Sequence, residues 1–228
     1  MKTTEASWII AAILILVSYH TYLVWMVKRH PLHADIGINT CVRQAWVQAI
    51  MQRQPGDVLA VQTLRNALMS ASFLASTAIL LVAGLLSFIL TNKGSLESFN
   101  KVLDMLEARH PDVLLSQLLL LVVTFFFAFF NFALSVRYYN HVGFMLNAVD
   151  KIAGHILPET FMTASLQRAA FHFMLGMRAF LMILPFGLWL LGGVWFLLGS
   201  VLLVIILWRI DFPSRKLIHT TQCQVNKN

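Results

Sequence analysis

Charge and cysteine are both scarce in this sequence of 228 residues. Charged residues make up 12% of the chain, which is about half the share of a soluble domain. The two cysteines, Cys41 and Cys223, have no C-x-x-C partner, which excludes a cysteine-based metal framework. The chain also has no G-x-S-x-G, P-loop or H-E-x-x-H motif. No motif names a reaction, and we do not expect an enzyme.

Long apolar runs are what the sequence has in abundance. Hydrophobic residues make up 58% of the chain and its mean hydropathy is +0.73, which is typical of a protein embedded in a lipid bilayer. Four runs are long enough to cross a hydrocarbon core of about 30 Å as helices. We place these spans at residues 8–27, 66–90, 113–136 and 179–208. The predicted fold is an all-α, polytopic bundle of four transmembrane helices, with one membrane domain over residues 1–212 and a polar, basic tail over residues 213–228.

The second span carries a stripe of small side chains. Ser70, Thr77, Gly84 and Ser87 share one face with Phe73 and Leu80. Small residues allow helices in lipid to approach closely, so this pattern predicts a central, well-packed helix. Together with the glycines of the last run, it also favours self-association.

Each of the two long loops contains a segment with the pattern of an amphipathic surface helix. The first covers residues 38–53, with Ile38, Val42 and Trp46 on its apolar face, and the second covers residues 161–178. We expect these helices to lie on the membrane surface or to pack beneath the bundle.

The last apolar run, at thirty residues, is longer than the bilayer core requires. Pro185 can kink it, while Gly192-Gly193 and Gly199-Ser200 permit close approach. We interpret it as one tilted or bent span. The alternative is a re-entrant hairpin that returns to the side from which it came.

The positive charges indicate an orientation. The two long loops carry nine Lys and Arg residues, against four on the other side when the tail is left out and eight when it is included. With the tail left out, the excess of nine over four places the long loops in the cytoplasm and the protein in the cytoplasmic (inner) membrane. A re-entrant last run would move the tail to the side of the long loops, giving thirteen against four.

Polar side chains at the ends of the spans collect on the side of the long loops. This predicted pole consists of His20, Arg65, Asn66, Asn131, Arg137, Tyr138, Asn140, His141 and Arg178. Guanidinium groups match phosphate and carboxylate geometry, so the pole predicts binding of an anionic lipid or a small anionic ligand. The alternative is that these residues anchor helix ends in the headgroup layer. Three acidic residues, Asp150, Glu159 and Asp211, are interpreted as isolated.

We expect no metal and no cofactor. A haem between spans needs facing histidines, and His20 is the only histidine placed inside a span. The net charge of +7 is attributed to cytoplasmic loops that contact lipid headgroups, and nucleic acid is not an expected partner.

Four motifs resemble one family. They are R-x-x-W at Arg43 to Trp46, V-Q-T-L-R-N at Val61 to Asn66, R-Y-Y-N-H at Arg137 to His141, and G-x-R…P…W…G at Gly176, Arg178, Pro185, Trp189 and Gly192. With them, the chain resembles an uncharacterised family of bacterial and plant membrane proteins, domain of unknown function 599. The resemblance covers residues 8 to 212 and implies a four-span fold. It supplies no activity and no functional residue.

Three functional hypotheses follow. The first is a homo-oligomeric channel, transport or ligand-sensing component that uses the polar pole. The second is a structural or accessory subunit that binds lipid or a larger membrane complex. The third is a membrane enzyme or haem carrier.

Overall fold

The computed structural model describes residues 2–30, 34–52, 58–91, 111–152 and 159–212, and every regular element in these ranges is an α-helix. In chain order the helices are α1 (Lys2–Arg29), α2 (Asp35–Met51), α3 (Val58–Thr91), α4 (Pro111–Ile152), α5 (Glu159–Leu181), α6 (Ile183–Trp189) and α7 (Gly193–Asp211). The all-α prediction is therefore confirmed for the described residues. The predicted tail, residues 213–228, lies outside them.

Five helical stretches are long and apolar enough to cross a membrane by length and composition. They are Glu5–Arg29, Val58–Leu90, Val113–Leu146, Glu159–Trp189 and Gly193–Asp211. The first three contain the first three predicted spans, so the multi-pass membrane character of the chain is supported. The predicted count of four spans is not confirmed, because the C-terminal part of the chain is divided differently from the sequence-based interpretation.

A tight turn interrupts the run that was predicted as a single span over residues 179–208. Gly192 adopts a φ of 153°, a backbone conformation that side chains with a Cβ rarely adopt, and the chain reverses there. Beyond the turn, α7 packs back against α6, and the rings of Trp189 and Phe196 stack 5.0 Å apart. A Cβ on Gly199 would lie 2.9 Å from the Cα of Pro185, so glycine permits this crossing. The run forms a hairpin rather than one bent helix.

The second predicted surface helix, residues 161–178, belongs instead to the bundle. It is the larger part of α5, which packs along α4 and buries Met162, Leu166 and Ala169. Close approach of the two helices depends on Gly176, where a Cβ would lie 2.7 Å from the ring of the buried Phe132. The prediction of a separate surface helix is therefore wrong: its apolar side chains are buried by neighbouring helices.

Helix α3 lies at an edge of the bundle and packs chiefly on α4. Its buried residues are Ala60, Leu64, Ala71, Ala75, Ala78 and Val82. The small-residue stripe lies on a different face: Phe73 is 72% exposed, and a Cβ on Gly84 would meet no atom of the described residues within 4 Å. The predicted central position of this helix is wrong, because the stripe faces away from the other described helices.

Helix α1 forms the opposite edge and runs parallel to α7. The backbone carbonyl of Glu5 lies beside Gly193 at one end, and Tyr19 reaches Asp211 at the other. Neighbouring helices alternate in direction from α3 through α4 and α5 to α7. The C-terminal ends of α1 and α7 therefore lie with the N-terminal ends of α3 and α5, at what we call the α2 end of the bundle.

Helix α2 closes this end. Its Val47 is fully buried in a cluster with Leu64 of α3, Tyr139 of α4 and Met162 of α5. The predicted helix over residues 38–53 is present as far as Met51 and packs against α5, but its buried face differs from the predicted one. Val42 is 58% exposed, while polar side chains of the first turns face inward.

Candidate functional site

A cavity of about 560 Å³ lies at the α2 end, between α2, α5 and α7, with Tyr139 of α4 in its wall. Its volume falls in the range of small-molecule sites, roughly 300–1,000 Å³. The first turns of α2 contribute the polar side chains Asp35, Asn39, Thr40 and Arg43. The second half of α5 and the last turns of α7 contribute most of the apolar wall.

Helical spacing places the polar residues of α2 on one face. Asp35, Asn39 and Arg43 follow one another at steps of four, which is about one helical turn. The Asn39 amide donates a hydrogen bond of 2.6 Å to Asp35 Oδ2, and Arg43 Nη2 donates one of 3.2 Å to Thr40 Oγ1. These bonds fix a polar row along the cavity wall.

The Arg43 side chain can donate a further hydrogen bond. Its Nε is buried and has no hydrogen-bond partner among the described residues. Burial lowers the pKa of the Arg43 guanidinium, while the neighbouring Tyr139 and Asp35 act in the opposite direction. An arginine nevertheless stays charged, because its intrinsic pKa is so high. A buried, charged N–H without an acceptor is costly, so the site favours an incoming acceptor group.

A second arginine enters the same cavity from α5. Arg178 Nη2 donates a hydrogen bond of 2.5 Å to Asp211 Oδ1, and the hydroxyl of Tyr19 donates to Asp211 Oδ2. Side-chain exposure is only 11% for Arg178 and 5% for Asp211. Arg178 Nη1 is also buried and, within the described ranges, has no hydrogen-bond partner. The cavity is thus lined by two arginines that each have one unused donor nitrogen.

The interpretation of Asp211 as an isolated acid is wrong. It is bound by residues 33 and 192 positions earlier in the sequence, on α5 and α1. Residues this far apart leave no local sequence pattern, so only the tertiary fold reveals that Tyr19 and Arg178 contact Asp211.

Two other residues of the predicted pole meet around His172 of α5. The Oδ1 atom of Asn131 lies 3.1 Å from His172 Nδ1, and its Nδ2 donates to the carbonyl of Phe127 at 2.9 Å. The ring of Tyr138 stacks on His172 with centroids 5.6 Å apart and planes 6° from parallel. His172 was missed because the segment containing it was taken for a surface helix.

The remaining pole residues lie elsewhere. His20 bonds through Nδ1 to the Leu16 carbonyl of its own helix, at 2.8 Å. Five others have exposed side chains and do not line the cavity, namely Arg65, Asn66, Arg137, Asn140 and His141. Of the nine predicted site residues, only Arg178 lines the cavity. Sequence reasoning did not select Arg43 as a site residue, although the R-x-x-W motif contains it.

Comparison with known proteins identifies a family. No curated protein and no solved structure matches this chain. One family model does match, over residues 7–216, and it is described as a protein of unknown function, DUF599. That range contains four of the five helical stretches, all but the first two residues of Glu5–Arg29, and every residue of the cavity. The chain therefore belongs to the DUF599 family.

Proposed function

We propose that this protein binds an anionic ligand, through a phosphate or carboxylate group, in the cavity at the α2 end. The observation that carries the proposal is that Arg43 and Arg178 line one cavity and that each has a buried nitrogen without a hydrogen-bond acceptor among the described residues. Charge-assisted hydrogen bonds to phosphate or carboxylate are stronger than neutral ones, and the guanidinium fork suits both groups.

Anchoring of helix ends in the headgroup layer explains other arginines better than these two. An anchoring side chain extends outward to reach headgroups and water. Arg65 and Arg137 are exposed and fit that role. Arg43 and Arg178 instead have nitrogens that are buried within the protein. Their position supports recognition of a ligand.

The proposed topology has five crossings in the cytoplasmic membrane. An odd number of crossings puts the start of α1 and the end of α7 on opposite sides of the membrane. The sequence after Asp211 therefore lies on the same side as the two long loops. With Arg168 and Arg178 of the fourth crossing left out, Lys and Arg residues then number eleven on that side and four on the other. This asymmetry supports a cytoplasmic location for the α2 end and for the cavity.

Within this proposal, a ligand-sensing role is favoured over conduction through a single copy. The polar groups of Asn131 and Ser135, which are buried on α4, have partners inside the bundle. Ser135 donates to the Ala169 carbonyl at 2.9 Å, and Asn131 bonds His172 and the Phe127 carbonyl. Self-association through the exposed face of α3 remains part of the proposal, and Gly84→Leu tests it by loss of cross-linked dimers.

Thermal unfolding of the purified, delipidated protein in neutral detergent tests ligand binding. A ligand at one hundred times its Kd stabilises the folded state by about 2.7 kcal/mol. We expect inorganic phosphate to raise the Tm of the wild type and of the Arg137→Gln control, which loses an exposed arginine. The Arg43→Gln variant should lose this stabilisation. An equal response of Arg43→Gln and wild type, or no response in either, would contradict the proposal.

A further inference from the structure

We infer that the ligand is an amphiphile, with an acidic headgroup held at Arg43 and an acyl chain lying along the apolar wall formed by α5 and α7. This inference rests on the proposed function and narrows its ligand class. It is supported by the separation of polar and apolar residues onto different walls of the cavity. The α2 wall is mainly polar, whereas Met174, Met177, Leu181, Leu207 and Ile210 line the cavity from α5 and α7.

The apolar wall is continuous with the lipid-facing surface of the protein. Helix α7 is a candidate span, and Ile210 in its last turn is 55% exposed although it lines the cavity. Phe171 of α5, another lining residue, is 51% exposed. An acyl chain can therefore pass from the bilayer to this wall without crossing water, which favours entry from the membrane.

The size of the cavity also favours an amphiphile over a bare anion. A cavity of 560 Å³ has room for many water molecules, each of which occupies about 30 Å³. A phosphate ion at Arg43 would leave most of the apolar wall facing water, which is unfavourable in proportion to the area exposed. A headgroup followed by methylene groups covers both parts of the lining.

The charges of the lining limit the headgroup to one acidic group. Asp211 neutralises Arg178 by direct contact, while Arg43 has no ion-pair partner in the described part of the chain. Asp35 lines the same wall two turns before Arg43 and repels a second anionic group. A headgroup with a single phosphate and neutral hydroxyls fits this arrangement.

Three probes separate the contributions of headgroup and chain. They are dioctanoyl phosphatidylglycerol, which has both, glycerophosphoglycerol, which has the same phosphodiester but lacks the chains, and dioctanoylglycerol, which lacks the charge. We expect phosphatidylglycerol to bind the delipidated full-length protein at least tenfold more tightly than either other probe, as measured by native mass spectrometry or calorimetry. Arg43→Gln should weaken its binding at least tenfold, and Arg137→Gln should leave it unchanged.

A matched pair of variants tests the apolar wall. Ile210→Ala should weaken phosphatidylglycerol binding about fivefold, because it removes methyl groups that contact the chain. Ile205→Ala should not, since Ile205 is similarly exposed, at 54%, but does not line the cavity. Equal effects of these two variants would overturn the inference.

The remaining outcomes distinguish the inference from the proposed function. If glycerophosphoglycerol binds as tightly as phosphatidylglycerol and both depend on Arg43, the ligand is a soluble anion, so the inference fails and the proposed function stands. If dioctanoylglycerol binds as tightly and Arg43 has no effect, or if no probe binds, both fail.

Discussion

The hydroxyl of Tyr19 donates a hydrogen bond to the carboxylate of Asp211, which lies 192 residues later in the chain. Because that carboxylate also accepts a hydrogen bond from Arg178, one buried acidic side chain joins α1, α5 and α7. One arginine of the candidate site is thereby held in place by residues from both ends of the described sequence.

We predict that Tyr19→Phe lowers the free energy of unfolding by about 1–3 kcal/mol, because it leaves a buried carboxylate oxygen without its donor. The control is Tyr22→Phe. The ring of Tyr22 stacks on Trp208 at 5.6 Å, and the substitution keeps that ring. Thermal unfolding of both variants in the same detergent measures the difference. If Tyr19→Phe is no less stable than Tyr22→Phe, the hydrogen bond makes no contribution.

Asp211→Leu should be much more destabilising, by about 3–5 kcal/mol, because it leaves the Arg178 guanidinium buried without a counter-charge. The double variant Arg178→Leu with Asp211→Leu should recover part of this loss, since both buried charges are then gone. Comparison of the Tm values of the two variants checks this. A double variant less stable than Asp211→Leu alone would show that Arg178 does not depend on Asp211 for its stability.

The crossing of α6 and α7 predicts a glycine effect. Gly199→Ala should destabilise the protein by about 1–3 kcal/mol, because the new Cβ meets the backbone of Pro185 and the hairpin must open slightly. Gly187→Ala in the same hairpin should be neutral or stabilising, because no atom of the described residues lies within 4 Å of its Cβ position and alanine favours helix. Thermal unfolding measures both variants, and equal Tm values would argue against the close crossing.

The proposed topology predicts the accessibility of Cys41, an exposed free thiol on α2. In a Cys223→Ser background, an impermeant thiol reagent should leave Cys41 unmodified in intact cells and modify it after permeabilisation. Reporter tags placed before α1 and after α7 should be found in different compartments. Labelling of Cys41 in intact cells would contradict the proposed orientation, and tags on the same side would contradict the five crossings.

The sequence predicted much of the helical framework. Uncharged runs identified the first three membrane stretches, because a length of about twenty apolar residues is itself the physical requirement for crossing lipid. The glycines of the last run predicted close approach, and Gly199 and Gly193 provide it. The choice between a bent span and a hairpin needed the backbone conformation of Gly192, which the residue type permits but does not impose.

The error over α5 has a physical origin. Residues 161–178 contain His172 and Arg178, and polar side chains in a membrane segment argue against burial unless they have partners. Their partners, Asn131 and Asp211, lie on other helices 41 and 33 residues away, so hydrophobic periodicity could not reveal them.

The candidate cavity was hidden for a related reason. The amphipathic pattern of α2 predicted that its apolar residues would face the membrane or the bundle. Instead, Asn39, Thr40 and Arg43 face a cavity, while Val42 is exposed. Polar side chains that face a cavity and those that face solvent give the same sequence pattern.

The parallel arrangement of α1 and α7 has a consequence for biogenesis. Helix α1 packs chiefly against α7, which begins more than 160 residues after α1 ends. At about 5–20 residues synthesised per second, roughly 8–30 s pass between the synthesis of α1 and that of α7. During that time α1 sits in the bilayer without its final contacts, which its long uncharged run allows. Docking of α7 is therefore the event that completes the bundle, and a nascent chain truncated before Gly193 should retain α1 as a loosely held helix.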